Sequence, residues 1–368
     1  MRTWSLELEI SLELGAWNLE LEHGHMSVPD SPAPPPGLVD LAAARVGGVA
    51  LVANDEFFAE KENLLKPGRG IFIPDKYTDR GKWMDGWESR RRRTPGHDWC
   101  VVQLGLRGMI RQVDIDTNHF LGNHPPFASL DALDLTNGFP ADAGAVDALS
   151  WSPILAKSPL NPGSQNLFEI TGEQTWSHVR LNIFPDGGVA RLRVYGIVVP
   201  DWSKLKPGEL VDLAAIENGG VPLACSDMFF SSMNNLIMPG RSENMGDGWE
   251  TKRRRGPGYD WIILQLGLPG AIRKIEVDTN HFKGNYPDTC SIEGCNAPGA
   301  STDELTGARW REILPMTKLQ AHTRHFFEEE LAPVENCTHL RLNIFPDGGV
   351  SRLRVWGTVT GETMTKHE

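Results

Sequence analysis

The chain contains 368 residues, a length typical of two domains rather than of one or four. Its 36 basic and 48 acidic residues give a formal net charge of -12, which argues against a nucleic-acid-binding face and against a polybasic membrane surface. With 40% hydrophobic residues and no run of roughly 20 apolar residues, it reads as a globular chain with a core rather than a membrane-spanning one.

The first 37 residues differ from the rest of the chain. Residues 5–14 alternate leucine or isoleucine with glutamate or serine, without the basic start and apolar stretch of a secretory signal. Prolines are then frequent from Pro29 to Pro36, which predicts a stiff and extended linker. We therefore predict that residues 1–37 form a disordered appendage outside the fold.

The remaining sequence is an internal duplication. The string LVDLAA at residues 38–43 recurs at 210–215, and RLNIFPDGGV at residues 180–189 recurs at 341–350. The first copy also carries ten extra residues near 70–82. Turn-forming residues mark the boundary between the copies. The predicted units are repeat 1 at residues 38–198, a linker at 199–209 and repeat 2 at 210–361.

Each copy has the local pattern of β-structure. Short β-branched runs such as Ile110 to Asp116 and Ile272 to Asp278 are bounded by polar turns. Residues 181–194 predict a hairpin closed by a four-residue Pro-Asp-Gly-Gly turn. Because helical patterns do not separate these runs, we predict an all-β chain of two antiparallel sandwich or jelly-roll units, each with about eight strands.

The cysteines show no metal-binding pattern. Cys100, Cys225, Cys290, Cys295 and Cys337 form no CxxC pair, and none has an equivalent cysteine in the other copy. We predict that they are unpaired thiols in a reducing cytoplasm.

A duplicated Asp-Gly-Trp-Glu motif precedes a basic run at residues 85–93 and again at 247–255. One interpretation is a solvated surface charge cluster. The other is a ligand site, in which a guanidinium such as that of Arg90 offers two donors to a small carboxylate. In that case Glu88 and Glu250 are nearby general acid or base candidates.

The string DTNHF, followed by GN, comes directly after a predicted strand in each copy. It places Asp, His and Asn side chains in a glycine-containing loop, where sandwich folds often carry function. Histidine can exchange a proton near neutral pH, and an aspartate can orient the imidazole or join it in binding a metal. A structural role for the histidine is the alternative. The candidates are Asp116, His119 and Asn123, and their copies Asp278, His281 and Asn285.

The doubled RLNIFPDGG string has a clear structural role in its turn, since glycine reaches positive φ and aspartate caps the turn. Arg180 and Asn182 alternate on one strand face, as do Arg341 and Asn343 in the second copy. These four residues are candidates for substrate binding. No GxSxG, HExxH or Walker motif occurs in the sequence.

Together, GKWMDGWESRRRR at residues 81–93, PGHDW at 95–99, DTNHFLGN and the doubled RLNIFPDGG resemble the allantoicase family over residues 38–361. The resemblance implies two tandem jelly-roll, galactose-binding-like β-sandwich repeats. It also implies an amidine hydrolase that converts allantoate and water to ureidoglycolate and urea, and a homo-oligomer, trimeric or hexameric. Because some members are linked with a divalent metal, a metal at His119 and Asp116, or at their copies, stays open.

Allantoate carries one carboxylate and two ureido groups on a single carbon, so its hydrolysis needs an arginine for the carboxylate and an acid/base pair. We expect His119 with Asp116, or their copies, to transfer protons, beside the carboxyl group of Glu88 or Glu250. Arg180 or Arg341 is the expected substrate clamp.

Three arrangements remain open: two working repeats, one working repeat, or one site between them. The insertion in repeat 1, and the change from His97 to Tyr259, indicate unequal roles. A second hypothesis is a non-catalytic carbohydrate- or ligand-binding protein, because the same fold serves both uses.

Overall fold

The computed structural model describes residues 34–135, 138–140, 143–206 and 208–359, so nearly all of the predicted appendage lies outside the described residues. Strands dominate this part of the chain, and none of its helices is both long and apolar enough to cross a membrane. Its two short α-helices are α1 (Ala143–Val146) and α2 (Thr302–Thr306). The 3₁₀ helices span Ala44–Val46, Lys61–Leu65, Trp202–Lys204, Ile216–Asn218, Met233–Ile237 and Met245–Asp247.

The strands fall into two sets that follow the duplicated sequence. Those of repeat 1 are β1 (Val39–Asp40), β2 (Val49–Ala53), β3 (Tyr77–Thr78), β4 (Gly81–Lys82), β5 (Trp87–Glu88), β6 (Asp98–Asp116), β7 (Phe127–Leu133), β8 (Ser152–Pro159), β9 (Leu167–Glu169), β10 (Trp176–Phe184), β11 (Gly188–Val189) and β12 (Arg191–Val198). Those of repeat 2 are β13 (Leu210–Asp212), β14 (Val221–Cys225), β15 (Trp249–Glu250), β16 (Asp260–Asp278), β17 (Thr289–Cys295), β18 (Arg311–Lys318), β19 (Arg324–Phe327), β20 (Cys337–Phe345), β21 (Gly349–Val350) and β22 (Arg352–Thr358).

One long strand joins the two layers of each sandwich. In repeat 1 the first half of β6 pairs with β2 and β10, and its second half pairs with β9 and β12, all antiparallel. Strands β7 and β8 extend the first layer, and β1 extends the second. The 19-residue β16 has the same position in repeat 2. The prediction of an all-β chain with two tandem jelly-roll sandwiches is therefore confirmed.

Side chains along each strand point alternately into the core and toward the outer face of the sheet. On β10, Val179, Leu181 and Ile183 point into the buried core, whereas Arg180 and Asn182 lie on the outer face. The largest buried cluster includes side chains from both repeats. The two sandwiches therefore share one continuous apolar core and are not independent units joined only by a linker.

A polar contact also joins the repeats. Arg45, from repeat 1, donates hydrogen bonds to Asn235 (2.7 Å) and to the Asp247 carboxylate of the repeat 2 DGWE motif. A cavity of about 190 Å³ lies between β12 and β14, and Val198 and Val221 are among the residues that line it. None of the predicted site residues lines this cavity, so it offers no support for a site between the repeats.

The loops at one end of each sandwich are held by a phenylalanine ring against glycine. Phe120 packs so closely on β11 that a Cβ atom at Gly188 would lie 2.0 Å from the ring. Phe282 and Gly349 repeat this contact in the second copy, also at 2.0 Å. Both rings are fully buried. A side chain cannot be added at either glycine without displacing the ring.

The substitution Gly188→Ala tests this contact. Because the buried Phe120 ring must move, we expect Gly188→Ala to lower the free energy of unfolding by about 1–3 kcal/mol in urea titrations followed by circular dichroism. Gly122→Ala, in the same loop region but with open space around its Cβ, is the matched control and should change stability by less than about 1 kcal/mol. Equal effects of the two substitutions would contradict the packing role.

Candidate functional site

Three segments that the sequence singles out meet at one end of each sandwich. The short strand with Glu88 pairs with Gly188 of the PDGG turn. The Gly188 N–H donates to the carbonyl of Asn123 (2.8 Å), and the Ala190 N–H donates to that of Asp116 (2.7 Å). The DGWE, DTNHFxGN and PDGG segments therefore form one loop cluster.

The loop cluster is duplicated with the same contacts. In repeat 2 the strand with Glu250 pairs with Gly349, whose N–H donates to the Asn285 carbonyl at 2.8 Å. The Ser351 N–H donates to the Asp278 carbonyl at 2.7 Å. Both sequence copies thus bring their candidate residues to corresponding places.

A glutamate–asparagine pair lies at the centre of each loop cluster. The Asn123 amide donates to Glu88 Oε1 at 2.7 Å, and Asn285 donates to Glu250 in the same way. Both glutamates are half-buried. Burial raises the pKa of the Glu88 and Glu250 carboxyl groups, and the amide hydrogen bond offsets part of that rise. These carboxyl groups hold a proton more readily than an exposed glutamate does.

The aspartate of the DTNHF segment has a different partner from the one expected. Both oxygens of the buried Asp116 accept hydrogen bonds from the Arg69 guanidinium at 2.8 Å, and one also accepts the Asn118 N–H. Asp278 has the same type of contact with Arg241, at 3.4 Å. An arginine and a backbone amide thus occupy each carboxylate, and no hydrogen bond joins either aspartate to a histidine in the described part of the chain. A role of Asp116 or Asp278 in orienting the histidine stays a prediction.

The sequence pattern did not identify Arg69 and Arg241 as site residues. Both lie in the string Pro-Gly-Arg, which occurs at corresponding positions of the two copies. That duplication was visible in the sequence, but it does not reveal the aspartate partner 47 or 37 residues away.

The two histidines are placed alike in backbone conformation but not in surroundings. His119 and His281 both have positive φ, 66° and 69°. The exposed His119 ring lies 5.6 Å from the Phe72 ring, and within the described chain its imidazole has no hydrogen-bond partner. The His281 Nε2 instead lies 2.9 Å from the carbonyl oxygen of Ser242.

The insertion accounts for the surroundings of His119. Phe72 and the β3–β4 hairpin lie in the segment near residues 70–82 that contains the ten extra residues of repeat 1. Lys82 Nζ lies 4.3 Å from the centre of the Phe72 ring, over its face. The hairpin thus contacts Phe72, which in turn lies beside His119, and no corresponding hairpin occurs among the described residues of repeat 2.

The metal hypothesis does not fit these side chains. Across the described residues, no three His, Cys, Asp or Glu side chains come together as ligands for a metal ion. The carboxylate proposed as a ligand in repeat 1, Asp116, is already engaged by Arg69.

The basic run alternates between anchored and unpaired cations. Arg90 pairs with Asp55 at 2.7 Å, and Arg92 pairs with Asp98 at 2.5 Å. The side chains between and after them, Arg91 and Arg93, are exposed and have no ionic partner in the described part of the chain. In repeat 2 the anchored residues are Lys252 and Arg254, and the exposed ones are Arg253 and Arg255.

The predicted arginine clamps are not free. On the outer face of β10, Arg180 pairs with Asp131 at 2.9 Å, and the Asn182 amide donates to the same carboxylate at 2.9 Å. In repeat 2, Glu293 accepts from Arg341 and from Asn343. A neighbouring strand thus supplies a carboxylate partner for each predicted clamp, and substrate binding by Arg180 or Arg341 stays a prediction.

Comparisons with known proteins agree with the duplicated architecture. A family model described as the allantoicase repeat matches residues 39–199 and 211–360. A probable allantoicase of Burkholderia mallei is 50% identical over 336 residues, 91% of this chain and 98% of the relative. The allantoicase of Dictyostelium discoideum is 50% identical over 89% of each chain. The crystal structure of an allantoicase from Saccharomyces cerevisiae superposes with a TM-score of 0.74, at 37% identity, over 88% of this chain and 93% of that one.

The role of the outer-face arginine can be tested by its removal. Arg341→Met leaves Glu293 without its charged donor, so we expect a loss of about 2 kcal/mol in the free energy of unfolding. The double variant Arg341→Met with Glu293→Leu should recover most of that loss, because no carboxylate is then left unpaired. Full stability of the single variant in urea titrations would contradict the structural role.

Replacing the asparagine of a glutamate–asparagine pair should change the pKa of its glutamate. Asn285→Leu removes the hydrogen bond that lowers the pKa of Glu250 but keeps the carboxyl group covered. The pKa of Glu250 should therefore rise further. Carbon-13 NMR of the glutamate carboxyl groups measures it directly. Asn123→Leu is the matched control: it should raise the pKa of Glu88 and leave that of Glu250 unchanged. A lower pKa of Glu250 in Asn285→Leu would refute the assignment.

Proposed function

The chain belongs to the allantoicase family and hydrolyses allantoate to ureidoglycolate and urea, and we propose that it does so at the loop cluster. The observation that carries this placement is the half-buried glutamate–asparagine pair at the point where the three segments meet. Membership of this enzyme family sets aside the non-catalytic binding hypothesis.

The reaction sets the chemical requirements of the site. Water forms a bond to the central carbon of allantoate and loses a proton, while the bond from that carbon to one ureido nitrogen breaks. The leaving nitrogen gains a proton and departs as urea. One group must therefore accept a proton and another must donate one, both close to the central carbon.

Glu88 or Glu250 suits the proton donor. Burial raises the pKa of each carboxyl group, which favours the protonated form that a general acid needs. The imidazole of His119 or His281, on the same loop as the paired asparagine, is the proposed proton acceptor from water. Neither role needs the aspartate that the sequence suggested as an orienting partner.

The unpaired cations of the basic run are the proposed binding groups for the substrate carboxylate. Arg91 and Arg93 follow Glu88 closely in the sequence and are exposed, as are Arg253 and Arg255 after Glu250. Arg90, anchored by Asp55, keeps much of its side chain exposed and is retained as a further candidate. A guanidinium can hold a carboxylate with two parallel hydrogen bonds.

Asp116 and Asp278 are proposed as positioning residues. Each accepts the backbone N–H of Asn118 or Asn280 at 2.9 Å and is bound by an arginine from the Pro-Gly-Arg string. These bonds hold the DTNHF loop in shape. The asparagines paired with glutamate, Asn123 and Asn285, keep a carbonyl oxygen that can accept a ureido N–H.

We also propose that the protein is a cytoplasmic homo-oligomer, a trimer or a hexamer. Five unpaired cysteines suit a reducing compartment. Phe229 and Phe230 are 70% and 61% exposed, an aromatic surface of the kind found at subunit contacts.

The function is tested by incubating the protein with allantoate and measuring urea and ureidoglycolate, which should form in equal amounts. Glu88→Gln and Glu250→Gln remove the proton donor of one repeat each. The variant in the working repeat should lose at least about 100-fold in kcat, with normal folding. Glu330→Gln, at an exposed position, is the control and should keep full activity.

Absence of urea formation by the unmodified protein would overturn the proposed function. Full activity of both glutamate variants would leave the function standing and overturn the proposed proton donor.

A further inference from the structure

Repeat 2 holds a pair of histidines that repeat 1 lacks. His281 is in the DTNHF loop, and His322 lies in the loop between β18 and β19, with a positive φ of 52°. Their ring centres are 5.7 Å apart. The two loops are bonded to each other in both directions: the His281 N–H donates to His322 Nδ1 at 2.7 Å, and the His322 N–H donates to the Phe282 carbonyl at 3.0 Å.

These hydrogen bonds determine which nitrogen of each ring carries hydrogen. The Nδ1 atom of His322 accepts from a backbone amide, so it has no hydrogen, and the ring is neutral with hydrogen on Nε2. The Nε2 atom of His281 faces the Ser242 carbonyl, which can only accept, so that nitrogen carries hydrogen. The pair therefore presents the His322 Nε2–H as a donor, and the neutral form of His281 has its lone pair on Nδ1.

The neutral state of His322 limits what it can do. A neutral imidazole that gave up its last N–H proton would become a strongly basic anion, so His322 is not suited to transfer a proton. It can instead donate a fixed hydrogen bond to an oxygen on which negative charge develops, as a neutral imidazole does in other enzymes.

The leaving group of the reaction has such an oxygen. When the bond between the central carbon and the ureido nitrogen breaks, its electron pair moves to that nitrogen and is shared with the ureido carbonyl oxygen. A donor at this oxygen therefore binds more strongly in the transition state than in the ground state.

The described residues of repeat 1 include no equivalent donor. Gly163 occupies the corresponding position and also has a positive φ, 61°. The equivalence follows from a shared hydrogen bond: the residue after Gly163 accepts the Thr117 N–H, and the residue after His322 accepts the Thr279 N–H. His119 lies against Phe72 of the insertion instead of a second imidazole.

Resting on the proposed function, we infer that repeat 2 is the copy that hydrolyses allantoate, and that His322 is a catalytic residue there. Its Nε2–H donates to the carbonyl oxygen of the departing ureido group. The lone pair of His281 accepts the proton of the attacking water, and the Glu250 carboxyl group protonates the departing nitrogen.

Two substitutions at one position test this role. His322→Asn keeps an acceptor for the His281 N–H and tolerates positive φ, but it removes the Nε2–H donor. We expect kcat to fall by about 100-fold or more, with KM changed little. His322→Gln restores a neutral N–H donor at nearly the same reach, and it should recover at least about tenfold of the lost kcat.

Gly163→Asn is the control. It introduces asparagine at the corresponding position of repeat 1 and should leave kcat and KM unchanged. Thermal unfolding confirms that each variant is folded. Wild-type activity on allantoate establishes the proposed function independently. If the wild type is active and His322→Asn retains its kcat, or if His322→Gln is as impaired as His322→Asn, the inference about His322 is overturned and the proposed function is not.

Discussion

A single packing contact, a buried phenylalanine ring against the second glycine of the PDGG turn, organises the functional end of each sandwich. The ring of Phe120 or Phe282 occupies the space that any side chain at Gly188 or Gly349 would need. The turn, the DTNHF loop and the DGWE strand consequently approach closely enough for backbone hydrogen bonds to join them. The glutamate–asparagine pair forms across this junction, so its geometry depends on the ring.

The duplication made much of this predictable from sequence. Strings that recur in the same order predicted two copies of one β-sandwich, and several of these strings converge at one end of each copy. Glu88 and Asn123 were both singled out as candidates, although their mutual hydrogen bond was not foreseen. Residues 35 apart in sequence become neighbours only through the fold.

The partners of the candidate residues could not be predicted from sequence. The pattern shows which face of β10 carries Arg180 but not which strand lies beside it, and that strand contributes Asp131. In the same way, the sequence does not show that Arg69 reaches the Asp116 carboxylate from a distant loop. His322 could not be found at all, because it lies outside every duplicated string and its equivalent is a glycine.

The differences between the copies point to a division of roles. In repeat 1 an inserted hairpin places Phe72 beside the histidine, whereas in repeat 2 a second histidine occupies that neighbourhood. Repeat 1 in turn contributes Arg45 to the DGWE aspartate of repeat 2, and the apolar core runs through both. One copy thus supports the other, as expected when a duplicated fold keeps its architecture while its sites diverge.

A crystal structure of the Glu250→Gln variant with allantoate would show where the substrate binds, since slow turnover should preserve it. We expect allantoate at the repeat 2 loop cluster, with a ureido carbonyl oxygen within about 3 Å of His322 Nε2. Substrate bound only at the repeat 1 cluster, or on the outer face beside Arg341, would contradict this expectation.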